Sequence, residues 1–402
     1  MVLDRWKTQD REREGEPRIV QVPDLCKKRL LGYAETFQEL ARSFGGGFEA
    51  SGEDRQALLE ARRVWENRQV LESNFSEVAH IMTQVADEVF RYEPMEEKSR
   101  RHIVHAMREE GIVVEEICYL PQTDNRRAVG VTMYTRRKNR RPSQEAADML
   151  SVLLDTHLQI SAASPYFIDQ EARSFILVEE PRFIVLSGFS RAVKENEAVS
   201  GDNYAVIESE KGRMTVLLSD GTGSGEEACQ GSERVLDLME KMLEAGYRME
   251  AAANMVNAAL FARGEEQNHP TLDVCDLDLY RGECSIWKAG GASTFLKTEE
   301  GVEEIQVGNL PLGIFRTVEM EPVHRQLQDG DYLVMMTDGA LDALAENNCE
   351  EAMRRAISEV REQNPKEIAE KLLQMVIRLS GGHITDDMTI LVIGVWENSG
   401  IT

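Results

Sequence analysis

Four acidic motifs in this chain stand beside runs of apolar residues, where a strand would begin or end. The most pronounced is Leu217-Leu218-Ser219-Asp220-Gly221-Thr222-Gly223-Ser224-Gly225, in which an apolar run meets an acid followed by glycines. Glycine lets the backbone approach a ligand closely or take a positive φ at such a point. A single acid at a strand end usually caps a turn, but here the pattern recurs and predicts side chains that face an open site. The other acids are Asp202 in Ser200-Gly201-Asp202-Asn203, Asp338 in Met335-Met336-Thr337-Asp338-Gly339, and Asp386 with Asp387 in Thr385-Asp386-Asp387-Met388-Thr389.

Carboxylates without convincing His or Cys partners indicate a site for hard cations. Oxygen ligands suit Mg²⁺ or Mn²⁺ rather than zinc or copper. One Asp can bridge two ions about 3.5–4 Å apart, and such a pair can activate water and neutralise phosphate oxygens during an in-line displacement. This chemistry needs neither a Ser–His–Asp triad nor a Cys nucleophile, and the seven histidines form no evident triad.

Two glycine-rich segments allow other interpretations. Gly221-Thr222-Gly223-Ser224-Gly225 resembles a phosphate-binding loop but lacks the Gly-Lys-Ser/Thr ending and the dinucleotide fingerprint. Ala289-Gly290-Gly291-Ala292 follows a predicted strand. It is either a tight turn or a place where the backbone of Gly290 and Gly291 approaches the substrate.

The composition restricts the classes of partner. With 46 basic and 71 acidic residues the formal net charge is −25, which argues against a nucleic-acid partner because phosphate binding requires a basic surface. The six cysteines form no C-x-x-C pair, which favours reduced thiols and a cytoplasmic compartment. No apolar run approaches the roughly 18 residues of a membrane span, so we expect no membrane contact by this segment.

The order of the predicted elements after residue 172 favours two packed sheets with helices outside. Strands around Tyr204 and Leu217 are followed by two helices over about 225–246 and 249–262, then by more strands, a helix pair and a last strand. Ser174–Glu179 and Phe183–Phe189 are predicted to pair with each other around Pro181.

Before residue 172 the pattern is different. A long helix before Tyr92 carries an apolar seam whose members are spaced alternately by four and three residues: Leu71, Phe75, Val78, Met82, Val85 and Val89. This seam fits either an intramolecular helical hairpin or a dimerising, signalling helix. Residues 112–120 and 128–134 then predict a strand hairpin, followed by a helix that begins near Ser143.

The motifs taken together resemble the bacterial metal-dependent Ser/Thr phosphatases of type 2C, and in particular their sporulation members, over about residues 172–396. The resemblance is carried by the acidic motifs already described and by three further segments: Thr271-Leu272-Asp273, Lys288-Ala289-Gly290-Gly291-Ala292 and Pro311-Leu312-Gly313. It implies an α+β fold, with a central β-sandwich flanked by helix pairs in an α/β/β/α arrangement. The domains expected are a helical regulatory or dimerisation region over 1–110, a small α/β regulatory module over 111–171, and the phosphatase domain over 172–402.

The resemblance also implies a site for two Mn²⁺ ions, with Mg²⁺ as the alternative. Asp220 would bridge both ions, and Asp202, Asp220 and Asp338 would be the catalytic acids. The ligands would be divided between Asp202 and the Gly221 carbonyl for one ion and Asp338 and Asp386 for the other.

Two details stay open in this comparison. Asp386 is preferred to Asp387 as a ligand because it aligns with the acid of the Asp-Asn pair in eukaryotic relatives. The phosphate-binding arginine of those relatives has no evident counterpart, although Arg191 is a candidate. Orientation of the phosphate would then depend on the metals and on backbone such as Gly290 and Gly291.

The function implied is removal of phosphate from phosphoserine on an anti-anti-sigma factor, which would release a forespore sigma factor. The resemblance further implies a homodimer, a tubulin-like division partner, and anchoring of full-length members in the membrane at the division septum. The helices at 225–262 match an element that links dimerisation to assembly of the metal site. Two alternatives remain: a stress-response phosphatase of the same fold acting on another anti-anti-sigma protein, and a non-catalytic scaffold for the septum.

Overall fold

The computed structural model describes residues 24–44, 55–90, 92–121, 127–136, 140–162, 164–209, 212–263, 269–344 and 348–398. Residues 1–23, with which the predicted helical region begins, lie outside this part. The helices are α1 Asp24–Phe44, α2 Arg55–Phe90, α3 Glu97–Glu109, α4 Ser143–Leu154, α5 Gly225–Glu244, α6 Met249–Arg263, α7 Asp338–Asp342, α8 Cys349–Glu359 and α9 Pro365–Leu379. None of the described helices is both long enough and apolar enough to cross a membrane.

Most of the strands follow one another in two runs, one between α4 and α5 and one between α6 and α7. They are β1 Glu93–Pro94, β2 Ile112–Pro121, β3 Arg127–Thr135, β4 Arg141–Pro142, β5 Leu158–Ile160, β6 Phe167–Ile168, β7 Arg173–Glu179, β8 Phe183–Ala192, β9 Asp202–Ser209, β10 Arg213–Asp220, β11 Leu272–Asp278, β12 Glu283–Ala289, β13 Thr294–Thr298, β14 Gly301–Ile305, β15 Val323–Gln326, β16 Tyr332–Met336 and β17 Met388–Glu397.

The chain divides into two compact units, one of residues 1–37 with 79–180 and one of residues 38–78 with 181–402. The first unit contains an antiparallel sheet in the order β1-β2-β3-β7-β5. Its core joins Ile103 and Met107 of α3 and Leu150 of α4 to strand residues such as Val131 and Phe175. The helices of this unit therefore bury their apolar faces against one sheet.

The predicted hairpin of residues 174–179 with 183–189 is wrong. Strand β7 pairs with β3, so that Phe175 lies opposite Val131, and β8 pairs instead with β17, where Phe189 lies opposite Leu391. The two runs are close in sequence but belong to different cores, because Phe175 is buried in the first unit and Phe183 in the second. Burial of the apolar face, not proximity in sequence, decides the pairing.

The second unit contains two five-stranded sheets, in the orders β15-β12-β11-β10-β9 and β14-β13-β16-β17-β8. Residues from both sheets, including Leu218, Ile286, Leu333 and Leu391, form one core between them. The predicted β-sandwich is confirmed.

Helix pairs cover the outer faces of both sheets. In β10, the side chain of Leu218 points into the core between the sheets. The preceding residue, Leu217, points to the outer face and packs with Val235 of α5 and Val256 of α6. On the other sheet, α8 packs over β13 and β14, and α9 packs over β8 and β17. Because successive side chains in a strand point to opposite faces, a continuous apolar run such as that of β10 fits a strand covered on both sides.

Glu77 of α2 holds the beginning of α6 in the second unit. Its buried carboxylate accepts the backbone N–H of Arg248 at 3.0 Å and also binds the Arg248 guanidinium, with the shortest contact at 2.7 Å. An anion suits this position because the first N–H groups of a helix have no partner within the helix. Leu71 and Val85 of the predicted seam are partly exposed, and the side chain of Val89 lies outside the described residues. Dimerisation through this helix stays a prediction.

Candidate metal centre

Asp202 and Asp220 lie opposite each other on neighbouring strands. Asp202 is the first residue of β9 and Asp220 the last of β10, and the antiparallel register makes them direct partners. The Oδ2 of Asp202 accepts the Thr337 hydroxyl at 2.9 Å, whereas its buried Oδ1 has no hydrogen-bond partner. The backbone N–H of Asp220 donates to the Thr271 hydroxyl at 2.9 Å. Strand pairing thus holds two carboxylates face to face and leaves one buried oxygen unsatisfied.

Asp338 adds a third negative group to this pair. It is the first residue of α7, directly after β16 and Thr337. Burial raises the pKa of Asp202 to about 6. Burial also raises the pKa of Asp220, to about 10, and the charges of Asp202 and Asp338 add to this effect. Like charges held together in a buried place favour the neutral form unless a cation compensates them.

Gly221 connects Asp220 to α5 through a contact that only glycine allows. A Cβ at this residue would lie 2.0 Å from the Ala228 carbonyl oxygen of α5. The Gly221 N–H donates to the Gly201 carbonyl at 3.2 Å, and that carbonyl also accepts the Ser232 hydroxyl of α5 at 2.5 Å. The first turns of α5 therefore lie directly against the backbone on both sides of the acid pair.

The tandem acids before β17 have different surroundings. Asp387 is 4% exposed, and its two carboxylate oxygens accept the backbone N–H groups of Lys194 at 2.9 Å and Gly201 at 2.8 Å. Asp386 is half exposed, and its Oδ1 accepts the N–H of Asp387 and lies 3.6 Å from the Lys194 Nζ. The oxygens of Asp387 are thus occupied by backbone, while those of Asp386 are accessible.

The Gly290–Gly291 turn borders the same small cleft as Asp220 and Asp338. Gly290 has a φ of +76°, and a Cβ there would lie 2.4 Å from Pro311. A Cβ on Gly291 would lie 1.9 Å from the Asp273 carboxylate. Internal packing therefore explains why both residues are glycines. Contact between their backbone and the substrate stays a prediction.

The carboxylates of Asp202 and Asp338 each lie next to that of Asp220. Among the described ranges no group of three or more His, Cys, Asp or Glu side chains is placed so that it could hold a metal ion. The donor set nevertheless fits a hard divalent cation, since it consists of carboxylates together with the orphaned Oδ1 of Asp202. Asp202, Asp220 and Asp338 are brought together, and Asp386 stands beside Lys194.

Sequence reasoning missed the residues that support these acids. Thr337 was noted only as part of the Asp338 motif, yet its hydroxyl donates to Asp202 and accepts the Thr389 N–H at 3.0 Å. Lys288 was noted only as the first residue of the glycine turn, yet it is buried and bonded to Asp273 at 2.5 Å. A lysine that directly follows the apolar residues Ile286 and Trp287 in a strand was the available signal, because lysine is almost never buried without a partner. Arg191, the candidate phosphate ligand, is on β8 and lies opposite Thr389 of β17. Its buried Nε has no hydrogen-bond partner.

The sandwich, its flanking helix pairs and the acids at the strand ends have the arrangement of the metal-dependent protein serine/threonine phosphatases of type 2C. The family profile of stage II sporulation protein E (SpoIIE) matches residues 210–396. Residues 210–396 are thus similar to the phosphatase region of this family.

Individual relatives agree with this assignment. Stage II sporulation protein E of Bacillus subtilis is 29% identical over 343 residues, which are 84% of this chain and 41% of that protein. The solved structure of the PP2C phosphatase domain with a fragment of the regulatory domain of SpoIIE from Bacillus subtilis is 26% identical, with a TM-score of 0.61, over 87% of this chain and 100% of that one. The phosphoserine phosphatase RsbU of Bacillus subtilis is 19% identical over 199 residues, which are 48% of this chain and 59% of that protein. The chain thus spans less than half the length of the sporulation relative.

Proposed function

We propose that this protein is a manganese-dependent phosphatase that removes phosphate from phosphoserine on an anti-anti-sigma factor and so releases a forespore sigma factor. The observation that carries the proposal is the face-to-face pair of buried Asp202 and partly buried Asp220, with Asp338 beside it. Such a cluster carries a cost unless cations neutralise it. The substrate class rests on the resemblance to the sporulation phosphatases and on the similarity to stage II sporulation protein E and to the phosphoserine phosphatase RsbU.

The proposed ligands follow the sequence prediction. Asp220 would bridge two ions, with Asp202 and the Gly221 carbonyl on one side and Asp338 and Asp386 on the other. When bound, the two cations would supply hydroxide from water near neutral pH and neutralise the phosphate oxygens. The geometry favours Asp386 over Asp387 as a ligand, because both oxygens of Asp387 already accept backbone N–H groups.

The other side chains orient these acids. Thr337 donates to one oxygen of Asp202 and leaves the other available. Thr271 holds the backbone of Asp220 by two hydrogen bonds, since its hydroxyl accepts the Asp220 N–H and its own N–H donates to the Asp220 carbonyl at 2.8 Å. Asp387 fastens the segment between β8 and β9 through Lys194 and Gly201. The chain itself thus fixes the orientation of the acids before any phosphate arrives.

The wider assembly is also a proposal. From the resemblance we infer a homodimer, coupling of the α5–α6 pair to the metal site, and, in the full-length protein, a membrane anchor at the septum and a tubulin-like division partner. The contacts of Gly221 and Gly201 with α5 support the coupling, because a shift of α5 must displace the backbone beside Asp220.

A second candidate is a stress-response phosphatase acting on a different anti-anti-sigma protein. The similarity to RsbU over nearly half of the chain supports this second candidate. The third candidate, a non-catalytic septum scaffold, is disfavoured because the chain contains every acid of the proposed centre.

Phosphate release from several phosphoserine anti-anti-sigma proteins, with and without Mn²⁺, tests the proposal on the wild type and Asp338→Asn. We expect Mn²⁺-dependent release that is fastest on the sporulation substrate and is lost in the variant. Preference for a stress-pathway substrate would support the second candidate. Absence of release with any metal and any substrate would favour the scaffold.

A further inference from the structure

An ion pair is completely buried beside the candidate metal centre. Lys288 and Asp273 are direct cross-strand partners on β12 and β11. The Lys288 Nζ donates to the Asp273 Oδ2 at 2.5 Å and to the Thr294 hydroxyl at 2.9 Å. Neither charged side chain has more than 3% of its surface exposed, and the Asp273 Oδ1 has no hydrogen-bond partner.

Stability alone does not account for such a pair. Removing two charges from water costs several kcal/mol per ion, and apolar residues of similar volume often serve a core equally well. The residues next along the same faces of β11 and β12, Cys275 and Ile286, are apolar and buried between the two sheets. The contacts of this ion pair with neighbouring residues therefore indicate an additional role.

The Asp273 carboxylate lies directly beneath the Gly290–Gly291 turn. It occupies the space that a Cβ of Gly291 would need, at 1.9 Å from the carboxylate oxygen and 2.3 Å from its carbon. Because Asp273 is bonded to Lys288, two residues before Gly290, the carboxylate and the turn are tied to the same short segment.

Asn309 holds the turn from its other side. The Gly290 N–H donates to the Asn309 carbonyl at 3.1 Å, and the Asn309 amide donates to the Lys288 carbonyl at 3.2 Å. Pro311 fills the place of a Cβ on Gly290. The turn is thus clamped between Asp273 below and residues 309–311 above.

This clamped turn borders the cleft that also contains Asp220 and Asp338. We propose that Asp273 and Lys288 are positioning residues, which fix the Gly290–Gly291 backbone beside Asp220 and Asp338, where the phosphate group of the substrate would bind. The proposal rests on the proposed phosphatase function. It assigns the pair no contact with metal and no part in proton transfer.

The test uses the full chain with Asp273→Asn and Lys288→Met combined. The double variant removes both charges, whereas Lys288→Met alone leaves Asp273 buried without its cation and is expected to unfold more easily. The matched control is Asp276→Asn with Arg213→Met, which removes another ion pair between β10 and β11 whose residues do not border the cleft.

Hydrogen exchange on the metal-free protein measures the turn directly. We expect the peptide that contains Gly290 to exchange at least about ten-fold faster in the double variant than in the wild type or the control, because the Gly290–Asn309 bond opens more often. Unchanged exchange at this peptide would overturn the proposal. So would an equal increase throughout β10, β11 and β12, since the pair would then support the sheet and not the turn.

Two further measurements use the protein loaded with Mn²⁺. Inorganic phosphate, titrated by calorimetry, should bind at least about ten-fold more weakly to the double variant, and kcat/KM for phosphoserine protein should fall about 100-fold. Mn²⁺ affinity should stay within about three-fold of wild type. Retention of phosphate affinity, or a parallel loss of Mn²⁺ affinity, would overturn the proposal. A wild type that binds phosphate but hydrolyses nothing would refute the proposed function, while the exchange and phosphate comparisons would still decide the role of the pair.

Discussion

The carboxylate of Asp387 accepts the backbone N–H of Gly201 at 2.8 Å, across a sequence separation of 186 residues. With its other oxygen on the N–H of Lys194, this buried acid fastens the segment that leads into Asp202. Asp386, one residue earlier, points its accessible carboxylate toward Lys194. Adjacent acids of the same type thus have separate tasks in this protein.

Substitution of each acid by Asn should separate these tasks. Asp386→Asn is expected to weaken Mn²⁺ binding at least about ten-fold with little change in Tm, because it alters an accessible ligand. Asp387→Asn should lower the free energy of unfolding by about 1–3 kcal/mol, since one of two charge-assisted bonds to backbone is lost. Calorimetric titration and thermal unfolding measure the two effects. The reverse assignment of metal loss and destabilisation would contradict this division.

The metal-free protein should lose stability as the pH rises. Because the folded-state pKa of Asp202 is raised to about 6 and that of Asp220 to about 10, the folded protein retains protons that the unfolded chain releases near pH 4. Stability from these groups is complete below about pH 4 and falls as the pH passes through 6 toward 10. Chemical unfolding in the presence of a chelator, followed between pH 5 and 9, measures the slope.

A double variant provides the control for this pH dependence. Asp202→Asn with Asp220→Asn should reduce the slope, because the two groups no longer titrate. Added Mn²⁺ should also reduce it in the wild type, since a cation compensates the ionised carboxylates. A wild-type slope that is zero or positive over this range would show that the acid pair does not carry the cost inferred from its burial.

Gly221 should tolerate no side chain. Gly221→Ala places a methyl group 2.0 Å from the Ala228 carbonyl, so α5 must move away from the acid pair. We expect phosphatase activity to fall at least about 100-fold, as a displacement of about 1 Å can do. The matched control is Gly223→Ala, where φ is +93° but no atom lies within 4 Å of the new methyl. The control should show only the cost of a strained backbone, about 1 kcal/mol, and equal activity loss in both variants would contradict the steric explanation.

Glu77 should stabilise the first turn of α6. Glu77→Gln weakens the bidentate contact with Arg248, whose side chain is largely exposed, so we expect a modest cost of about 1–2 kcal/mol in local opening. Faster hydrogen exchange of the amides at the start of α6 would show this effect. Glu72→Gln, a change on the same helix that leaves the Glu77–Arg248 pair intact, serves as the control. Unchanged exchange in Glu77→Gln would mean that the first turn of α6 does not depend on this carboxylate.

Several elements were predictable because their signals are local. The apolar run of β10 indicated a strand, and Asp220 with its glycines marked where that strand ends. The two helices after Gly225 were equally clear from their length and their ends. In contrast, β13, β14 and β15 were not anticipated, since short strands in a segment that also contains glycines and turns give little periodicity.

The sequence by itself determined the type 2C fold and placed the acids at the ends of apolar runs, and the proposed preference for hard cations follows from those residue types. Tertiary structure decided how those acids are used. Whether Asp386 or Asp387 is accessible, whether Lys288 is buried against Asp273, and whether residues 174–179 pair with β8 or with β3 all depend on partners that lie far away in the chain. Residue type fixes which interactions a side chain can make, but only packing determines which partner it binds and how far it is exposed to solvent.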